Sequence, residues 1–304
     1  MADFLTGRRH RVRYGSTLSD YDAITCGVPQ GTRLGVLAFL CVVDSLCRNV
    51  EHRAKFVDDL TMAELIKIRD AFVSLAQQRL DELSTQCRDK HMVTNPIKCE
   101  ALYACPMKRP WVFPDLQLNG EPLPIKYEIK LLGVYLNAQL NWDTHMDHLI
   151  TKANRMIYVL YRANQFGFTT DTTLYLYQVY IRTGLEYAAP VWHAGLTEQQ
   201  KTMLERIQKR CFRIILGDRY ESYQEALLQL NSQSLFDRRE ALTIRFGKGL
   251  LKNPAHRHML PPTNGEIHGR NTRGAERLQT VRARTERYKN SAIPYIVTKL
   301  NSLG

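Results

Sequence analysis

Apolar and polar residues alternate in short runs over the first 140 residues and follow a helical period after that. The short runs predict strands, at residues 8–14, 98–105, 115–118 and 125–136. A strongly apolar helix is expected at 34–47, buried on most sides, and an amphipathic helix at 68–92, ended by Asn95-Pro96. Asn119-Gly120 is a strong hairpin signal. This order predicts a layered α+β sheet.

From residue 143 onward, apolar residues recur every three to four positions, which predicts an all-α bundle. Asp143 is the expected N-cap of its first helix, whose apolar stripe includes Ile157 and Tyr161. Further helices are expected at residues 172–187, 198–216, 223–230 and 235–251. For four tyrosines of the bundle, packing is favoured over stacking on bases: Tyr175, Tyr177, Tyr180 and Tyr187.

The composition changes again at residue 254, where Pro, Gly, Asn and Arg rise and the long apolar stripes end. Residues 254–304 contain nine Lys and Arg against three Glu, and so carry +6 of the net charge of +12. A loosely ordered basic arm is expected here, with a short helix near 293–300.

The charge of the whole chain favours a polyanionic partner such as nucleic acid over an acidic membrane surface. Seven scattered cysteines without a C-x-x-C pair indicate free thiols in a reducing compartment, not a zinc module. The N-terminus lacks a signal-peptide profile, and no apolar run reaches the length of a membrane span. We therefore expect a soluble intracellular protein, cytoplasmic or nuclear.

Two adjacent carboxylates, Asp58 and Asp59, lie between short apolar runs, as in a hairpin turn at the edge of a sheet. Adjacent ionised carboxylates repel each other unless a cation neutralises them, and oxygen ligands suit Mg²⁺ or Mn²⁺. Taken alone, such a pair is more often an ordinary solvated turn.

Three further blocks flank this pair: Gly27-Val28-Pro29-Gln30-Gly31 before it, then Asn95-Pro96-Ile97-Lys98 and Leu131-Leu132-Gly133-Val134 after it. In this order and at these separations, the set resembles the reverse transcriptases of non-LTR retrotransposons, the LINE-like elements of the jockey and CR1 kind. The resemblance runs from about residue 4 to the C-terminus. It implies a partial polymerase palm at 1–140, a helical thumb at 141–253 and a basic tail at 254–304.

The resemblance also implies roles for individual residues. Asp58 and Asp59 would hold Mg²⁺ or Mn²⁺ for nucleotidyl transfer, with Lys98 near the nucleotide phosphates. Contact with the RNA template, the DNA primer or the nucleotide would come from Pro29, Gln30, Gly31, Phe56, Leu132 and Gly133. From charge and spacing, further nucleic-acid contacts are expected at Arg206, Lys209, Arg210, Arg213, Arg282 and Arg284. Each of these assignments has a simpler alternative. A lysine at the end of a strand is most often just a charge facing solvent, and a basic helix face can equally be an ordinary solvated surface.

The sequence departs from the family pattern in two places. Gly35-Val36 stands where the family usually has Gly-Pro, and the first catalytic aspartate, with the Lys-Ala-Phe-Asp-like stretch that follows it, is missing. Two carboxylates should hold a metal only loosely. Three interpretations stay open: an inactive reverse transcriptase fragment, a polymerase subunit completed by the missing N-terminal polymerase part on another chain, and a non-catalytic nucleic-acid-binding protein derived from a retroelement.

Overall fold

The computed structural model describes residues 2–25, 27–29, 31–66, 74–105, 114–269 and 274–303. Contacts divide the chain into two compact units, one formed by Met1–Ala101 with Val112–Lys126 and one by Leu102–Trp111 with Tyr127–Gly304. The helical segment and the basic tail expected from the sequence lie in the same unit. None of the described helices is both long and apolar enough to cross a membrane.

The first unit is a set of small antiparallel hairpins and two longer helices. Its helices are α1 (Ala2–Leu5), α2 (Arg33–Asp44) and α3 (Ala76–Asp89). Its strands are β1 (Arg9–His10), β2 (Arg13–Tyr14), β3 (Thr17–Leu18), β4 (Asp22–Ala23), β5 (His52–Phe56), β6 (Asp59–Ala63), β8 (Gln117–Leu118), β9 (Glu121–Pro122) and β10 (Ile125–Lys126), with β7 (Ala101–Leu102) at its boundary. The described pairs include β1 with β4, β2 with β3, β5 with β6 and β8 with β9.

The β8–β9 hairpin confirms the Asn119-Gly120 signal. Both residues have positive φ, 55° and 83°, as the central residues of a type I′ turn require. The Gln77 side chain on α3 joins this hairpin to the helix, because its amide nitrogen donates to the Gln117 carbonyl at 3.0 Å and its oxygen accepts from the Gln117 N–H at 2.8 Å.

Helix α2 is not buried on most sides, so that prediction was wrong. Gly35, Ala38 and Val43 are buried, while five large apolar residues are exposed: Leu34, Val36, Leu37, Leu40 and Val42. A continuous apolar run shows that a segment can be buried, but whether it is depends on what packs against it. In the described part of the first unit, the hairpin β5–β6 is hydrogen-bonded to the C-terminal end of α2, which leaves the apolar residues of the first turns exposed.

Two neighbouring predictions also need correction. The amphipathic helix is shorter than expected and begins at Ala76, with residues 67–73 outside the described residues. The strand expected at 98–105 is reduced to Ala101–Leu102, and Lys98 closes a 3-10 turn, Pro96–Lys98. The Asn95 side chain caps this turn by accepting from the Ile97 N–H at 3.2 Å, which stabilises the turn in place of a longer strand.

The second unit begins with the hairpin β11 (Glu128–Leu131) and β12 (Val134–Asn137) and continues in helices. These are α4 (Asp143–Gln165), α5 (Thr170–Leu176), a π-helical segment (Tyr177–Arg182), α6 (Thr183–Glu186), α7 (Ala189–Trp192), α8 (Glu198–Leu216), α9 (Tyr223–Gln229), α10 (Leu235–Lys252), α11 (Asn264–His268), α12 (Glu286–Lys289) and α13 (Ala292–Leu303). Its main core includes Ile157, Leu160, Trp192, Leu204 and Phe212, all at most 2 % exposed. The helical period therefore located α4, α8 and α10 well.

Of two side-chain predictions in this bundle, one was wrong and the other is confirmed only in part. Trp142, not Asp143, occupies the N-cap of α4; Asp143 is the first helical residue and accepts from the Gln200 amide at 2.7 Å. Of the four tyrosines expected to pack, only Tyr177 is fully buried, whereas Tyr175, Tyr180 and Tyr187 are more than half exposed.

The tail is not a loosely ordered arm over its described residues. Helix α13 packs on α10, and Leu260, Leu278, Ile296 and Val297 form a second buried cluster with Leu250. The Asn301 side chain accepts from the Leu278 N–H and donates to the Leu278 carbonyl, both at 2.9 Å. The short helix expected at 293–300 is confirmed as α13, whose Ile296 and Val297 enter the cluster. Leu260 and Leu278 lie outside any periodic stripe, so the sequence did not indicate that they would be buried with it.

Candidate metal-binding hairpin and nucleic-acid interface

Asp58 and Asp59 lie at the tip of the β5–β6 hairpin of the first unit. Phe56 pairs with Asp59, so Val57 and Asp58 form a two-residue turn and Asp59 opens β6. Both aspartates are exposed, and so is the Phe56 side chain that precedes the turn. The local pattern thus places the pair where the sequence predicted, at an accessible hairpin end.

The backbone of the turn is unusual at Val57, whose φ is 56°. A β-branched residue in this region is a genuine outlier, because its Cβ approaches the following carbonyl and costs about 1–2 kcal/mol. The flanking ladder, from His52 paired with Ala63 to Phe56 paired with Asp59, holds the turn against this cost.

The back of the hairpin is attached to the end of α2 by two basic side chains of β5. Arg53 donates to the carbonyls of Asp44, at 3.2 Å, and of Leu46, and Lys55 donates to the carbonyl of Val43. These carbonyls lie at the C-terminal end of α2, where the helix dipole favours cations. Burial lowers the pKa of Lys55, and neighbouring Arg53 lowers it further. Basic residues alternate along β5 beside the aspartates, but their role in holding the hairpin to α2 shows only in the folded chain.

The hairpin offers two carboxylates and no more. Among the residues that the structure describes, no group of three or more His, Cys, Asp or Glu side chains could surround a metal ion. Two adjacent exposed carboxylates match the oxygen ligands of Mg²⁺ and Mn²⁺, but a hard cation on so few ligands keeps most of its waters. Lys98 is exposed in the same unit, and no ion pair of the described residues joins it to either aspartate.

The loop before α2 is shaped by Pro29, Gly31 and Thr32. Gly31 has a φ of 79°, and the Thr32 hydroxyl caps α2 by accepting from the Gly35 N–H at 3.1 Å while donating to the Pro29 carbonyl at 2.9 Å. A Cβ on Gly35 would lie 2.5 Å from the Pro29 carbonyl oxygen, so only glycine fits there. The predicted contact residue Gln30 lies outside the described residues.

In the second unit, Leu132 and Gly133 form the turn of the β11–β12 hairpin, with positive φ values of 46° and 86°. The Tyr187 hydroxyl donates to the Leu132 carbonyl at 2.8 Å, and a Cβ on Gly133 would lie 3.0 Å from the Tyr187 ring. Tyr187 therefore holds the tip of this hairpin, a role that spacing along the chain did not reveal.

The basic cluster on α8 forms one helical face, which we call the α8 basic face: Arg206, Lys209, Arg210 and Arg213. Arg206, Arg210 and Arg213 are exposed, and none of the four forms an ion pair with another described residue. Lys209 lies 4.9 Å from the centre of the Tyr223 ring, and the Arg213 guanidinium 5.2 Å from that of Tyr220. Such cation–π contacts orient the cations without neutralising them.

A buried polar network fixes α8 in the bundle. Glu205, on the inner side of α8, accepts from the Tyr223 hydroxyl at 2.6 Å and from the Phe236 N–H at 2.7 Å. The fully buried Arg239 lies 3.7 Å from Glu205, and burial lowers the pKa of that guanidinium despite the carboxylate. Breaking such a pair leaves an uncompensated buried charge, so the network resists movement of the helix that carries the basic face.

The two predicted arginines of the tail, Arg282 and Arg284, are exposed in a stretch without regular secondary structure before α12. Arg287, three residues further on, instead donates to the Gln139 carbonyl at 2.9 Å and is part of the fold. All three arginines are exposed, but the side chain of Arg287 is hydrogen-bonded to a distant carbonyl of the same unit, a difference that the sequence alone did not reveal.

Comparisons with known proteins bear on these sites. The probable RNA-directed DNA polymerase from transposon X-element of Drosophila melanogaster is 22 % identical to the chain over 227 residues, 71 % of this chain and 24 % of that protein. The retrovirus-related Pol polyprotein from the type-1 retrotransposable element R1 of Bradysia coprophila is 26 % identical over 210 residues, 64 % of this chain and 20 % of that protein. No family model and no solved structure matches the chain.

These relatives confirm the resemblance read from the motifs: the chain is related to the reverse transcriptases of non-LTR retrotransposons. It spans about a quarter of the length of one relative and a fifth of the other.

Proposed function

We propose that these 304 residues are the late palm and thumb portion of an RNA-directed DNA polymerase and that, by themselves, they bind nucleic acid without copying it. The observation that carries the proposal is the pair Asp58–Asp59 at an exposed hairpin tip, in a chain related to such polymerases. Nucleotidyl transfer by two metals needs carboxylates from more than one place, since both ions bridge the primer and the triphosphate. The described residues offer only the pair.

In this proposal the hairpin tip binds Mg²⁺ loosely and Mn²⁺ somewhat better, with Asp58 and Asp59 as its only protein ligands. In the first unit, the nucleotide and the template would be contacted by Lys98, Phe56, Pro29, Gln30 and Gly31. In the second unit, Leu132 and Gly133 would contact the primer. The α8 basic face would contact phosphates, because it presents unpaired cations on a helix held rigidly from behind.

The test is a primer-extension assay with the purified chain, a labelled DNA primer on an RNA template, deoxynucleotides and Mg²⁺ or Mn²⁺. We expect the labelled duplex to be bound, as measured by fluorescence anisotropy, and the primer to stay unextended. Loss of a catalytic metal ligand typically costs roughly a thousandfold or more in rate. Templated extension by the parent that disappears in Asp58→Ala would show a complete active site and overturn the proposal.

The metal site is tested separately by titrating Mn²⁺ and following water-proton relaxation. We expect weak binding in the parent and less in the double variant Asp58→Asn, Asp59→Asn, because amides offer no charge to the ion. Glu121→Gln, which removes an exposed carboxylate at another hairpin of the same unit, serves as the control. Equal relaxation in the parent and the double variant would reduce the pair to an ordinary solvated turn.

A further inference from the structure

The side of α4 that faces away from the bundle core is aromatic. Tyr158, Tyr161 and Phe166 are 65 %, 48 % and 70 % exposed, although Tyr161 was expected in the apolar stripe. Arg155 and Arg162 are exposed beside them. We call these five residues the α4 aromatic face. Single exposed rings are common on protein surfaces, but a contiguous exposed set points to a binding surface.

The rings of this face are held in place. The Arg162 guanidinium lies 5.1 Å from the centre of the Phe166 ring, and its Nη1 donates to the Gln165 side-chain oxygen at 2.9 Å. The Gln165 amide in turn donates to the Tyr161 hydroxyl at 2.8 Å. A side chain that is already ordered loses less entropy on binding, so this network prepares the face for a flat ligand.

The aromatic face adjoins the α8 basic face. Helices α4 and α8 pack together, and Arg210 of the basic face donates to the Asn154 side chain on α4, at 3.5 Å. Tyr158 and Tyr161 follow Asn154 one and two helical turns later, so they lie on the same side of α4 as the hydrogen bond to α8. Exposed rings and exposed cations thus form a continuous surface in the second unit.

The charge of this surface determines the kind of ligand. Residues 151–166 contain no Asp or Glu, and Glu205, the only acidic residue of α8 after Glu198, is turned inward to Tyr223, Phe236 and Arg239. Cations next to aromatic rings, without carboxylates, are the combination that binds single strands: the cations follow the phosphates and the rings stack on bases.

We propose that the α4 aromatic face stacks on unpaired bases of a single-stranded RNA or DNA whose phosphates lie on the α8 basic face. The proposal rests on the proposed function, since it assumes that the α8 basic face binds nucleic acid. It adds the substrate class: a strand with accessible bases is preferred over one that offers only phosphates. In a duplex the bases stack on each other, so the rings of α4 have no partner there.

The experiment compares two labelled single strands of equal length and charge, an oligothymidylate and an oligomer of abasic sites, by fluorescence anisotropy at several salt concentrations. We expect the parent to bind the oligothymidylate at least about tenfold more tightly, because each stacked base contributes measurably to affinity. The double variant Tyr158→Ala, Phe166→Ala should lose about that factor for the oligothymidylate and keep its affinity for the abasic strand. Its salt dependence should stay the same, since no charge is removed.

Three further variants serve as controls. Tyr158→Phe keeps the ring and should bind like the parent, and Tyr127→Ala removes an exposed ring of the same unit that is on neither α4 nor α8. Arg210→Gln should weaken binding of both strands and lower the salt slope by about 0.7, the value for one phosphate of a single strand. Circular dichroism confirms that each variant is folded.

The outcomes separate the two proposals. A parent that binds neither these strands nor the primer–template duplex overturns the proposed function, and the stacking proposal falls with it. A parent that binds the duplex but neither single strand overturns stacking alone. Equal binding of the two strands, or an unchanged preference in the double variant, overturns stacking alone and leaves phosphate binding by α8. If sedimentation shows a dimer that the double variant abolishes while oligonucleotide affinity is unchanged, the aromatic face is a contact between two copies of the chain, and stacking is again overturned.

Discussion

At the scale of single residues, the turn that carries Asp58 depends on a strained backbone. Val57 has a φ of 56°, which glycine adopts freely and a β-branched residue does not. We predict that Val57→Gly raises the free energy of unfolding by about 1 kcal/mol, because relief of the strain exceeds the entropy cost of glycine. Urea denaturation measures the change. Val93→Gly, at an exposed position of negative φ in the same unit, should lower stability slightly. A less stable Val57→Gly protein would contradict the prediction.

Two buried histidines of the second unit make stability depend on pH. His145 and His193 are each 1 % exposed, and burial lowers the pKa of both from 6.5 to about 4, with His148 adding to the effect at His145 and Arg239 at His193. Both are neutral in the folded state, whereas the unfolded chain protonates them near pH 6.5. Between pH 6.5 and about 4 the unfolded state binds more protons, so the stability present above pH 6.5 is lost as the pH falls towards 4.

The expected loss is about 5 kcal/mol for the two histidines together, since each loses roughly two pKa units' worth of stability, measured by urea denaturation at pH 7 and pH 4.5. His193→Gln should lower stability at pH 7, since the ring packs against Phe236 and Tyr295, but should also flatten the pH dependence. The exposed His268→Gln should leave the slope as it is. Parallel pH profiles for the parent and His193→Gln would mean that His193 does not contribute.

At the scale of secondary-structure elements, two glycines of α10 show how the tail docks. A Cβ on Gly247 would lie 2.5 Å from Cγ2 of Ile296 on α13, whereas a Cβ on Gly249 meets no atom within 4 Å. We predict that Gly249→Ala stabilises the protein by up to about 1 kcal/mol through helix propensity. Gly247→Ala makes the same change in propensity but should destabilise by about 1–3 kcal/mol, since α13 must move away. The measurement is the thermal unfolding midpoint of the two variants. Equal shifts of the midpoint in Gly247→Ala and Gly249→Ala would mean that α13 does not pack on α10.

At the scale of the whole chain, the charge of +12 is divided between cations that build the fold and cations that are exposed. Because α13 is part of a core, removing residues 254–304 would unfold part of the second unit and could not test the role of the tail. Charge substitutions can. We predict that the double variant Arg282→Gln, Arg284→Gln lowers the slope of log affinity against log salt on duplex DNA by about 1–2, since each neutralised phosphate contributes roughly 0.9.

Lys248→Gln, an exposed lysine of α10, is the matched control for the loss of a charge. Its slope should equal that of the parent. An unchanged slope in the double arginine variant would place the phosphate contacts elsewhere in the second unit, most simply on the α8 basic face.

The sequence by itself determined the features that rest on neighbours along the chain. Turn chemistry fixed the hairpin at Asn119-Gly120, and the helical period fixed α4, α8 and α10. The basic face of α8 followed from the same period, because residues three and four apart share a helix side. The order of four short blocks gave the relationship to reverse transcriptases, which the similar proteins confirmed.

Only the tertiary structure decided which apolar surfaces are covered. Helix α2 has a continuous apolar run and is nevertheless largely exposed. In the tail, by contrast, Leu260, Leu278 and Ile296 are buried together although they are far apart in the sequence. The tyrosines of the bundle show the same contrast, since Tyr177 is buried in the core and Tyr158 is exposed to water. Burial depends on which distant segment packs against a residue, and the spacing of residues along the chain does not determine which segment that is.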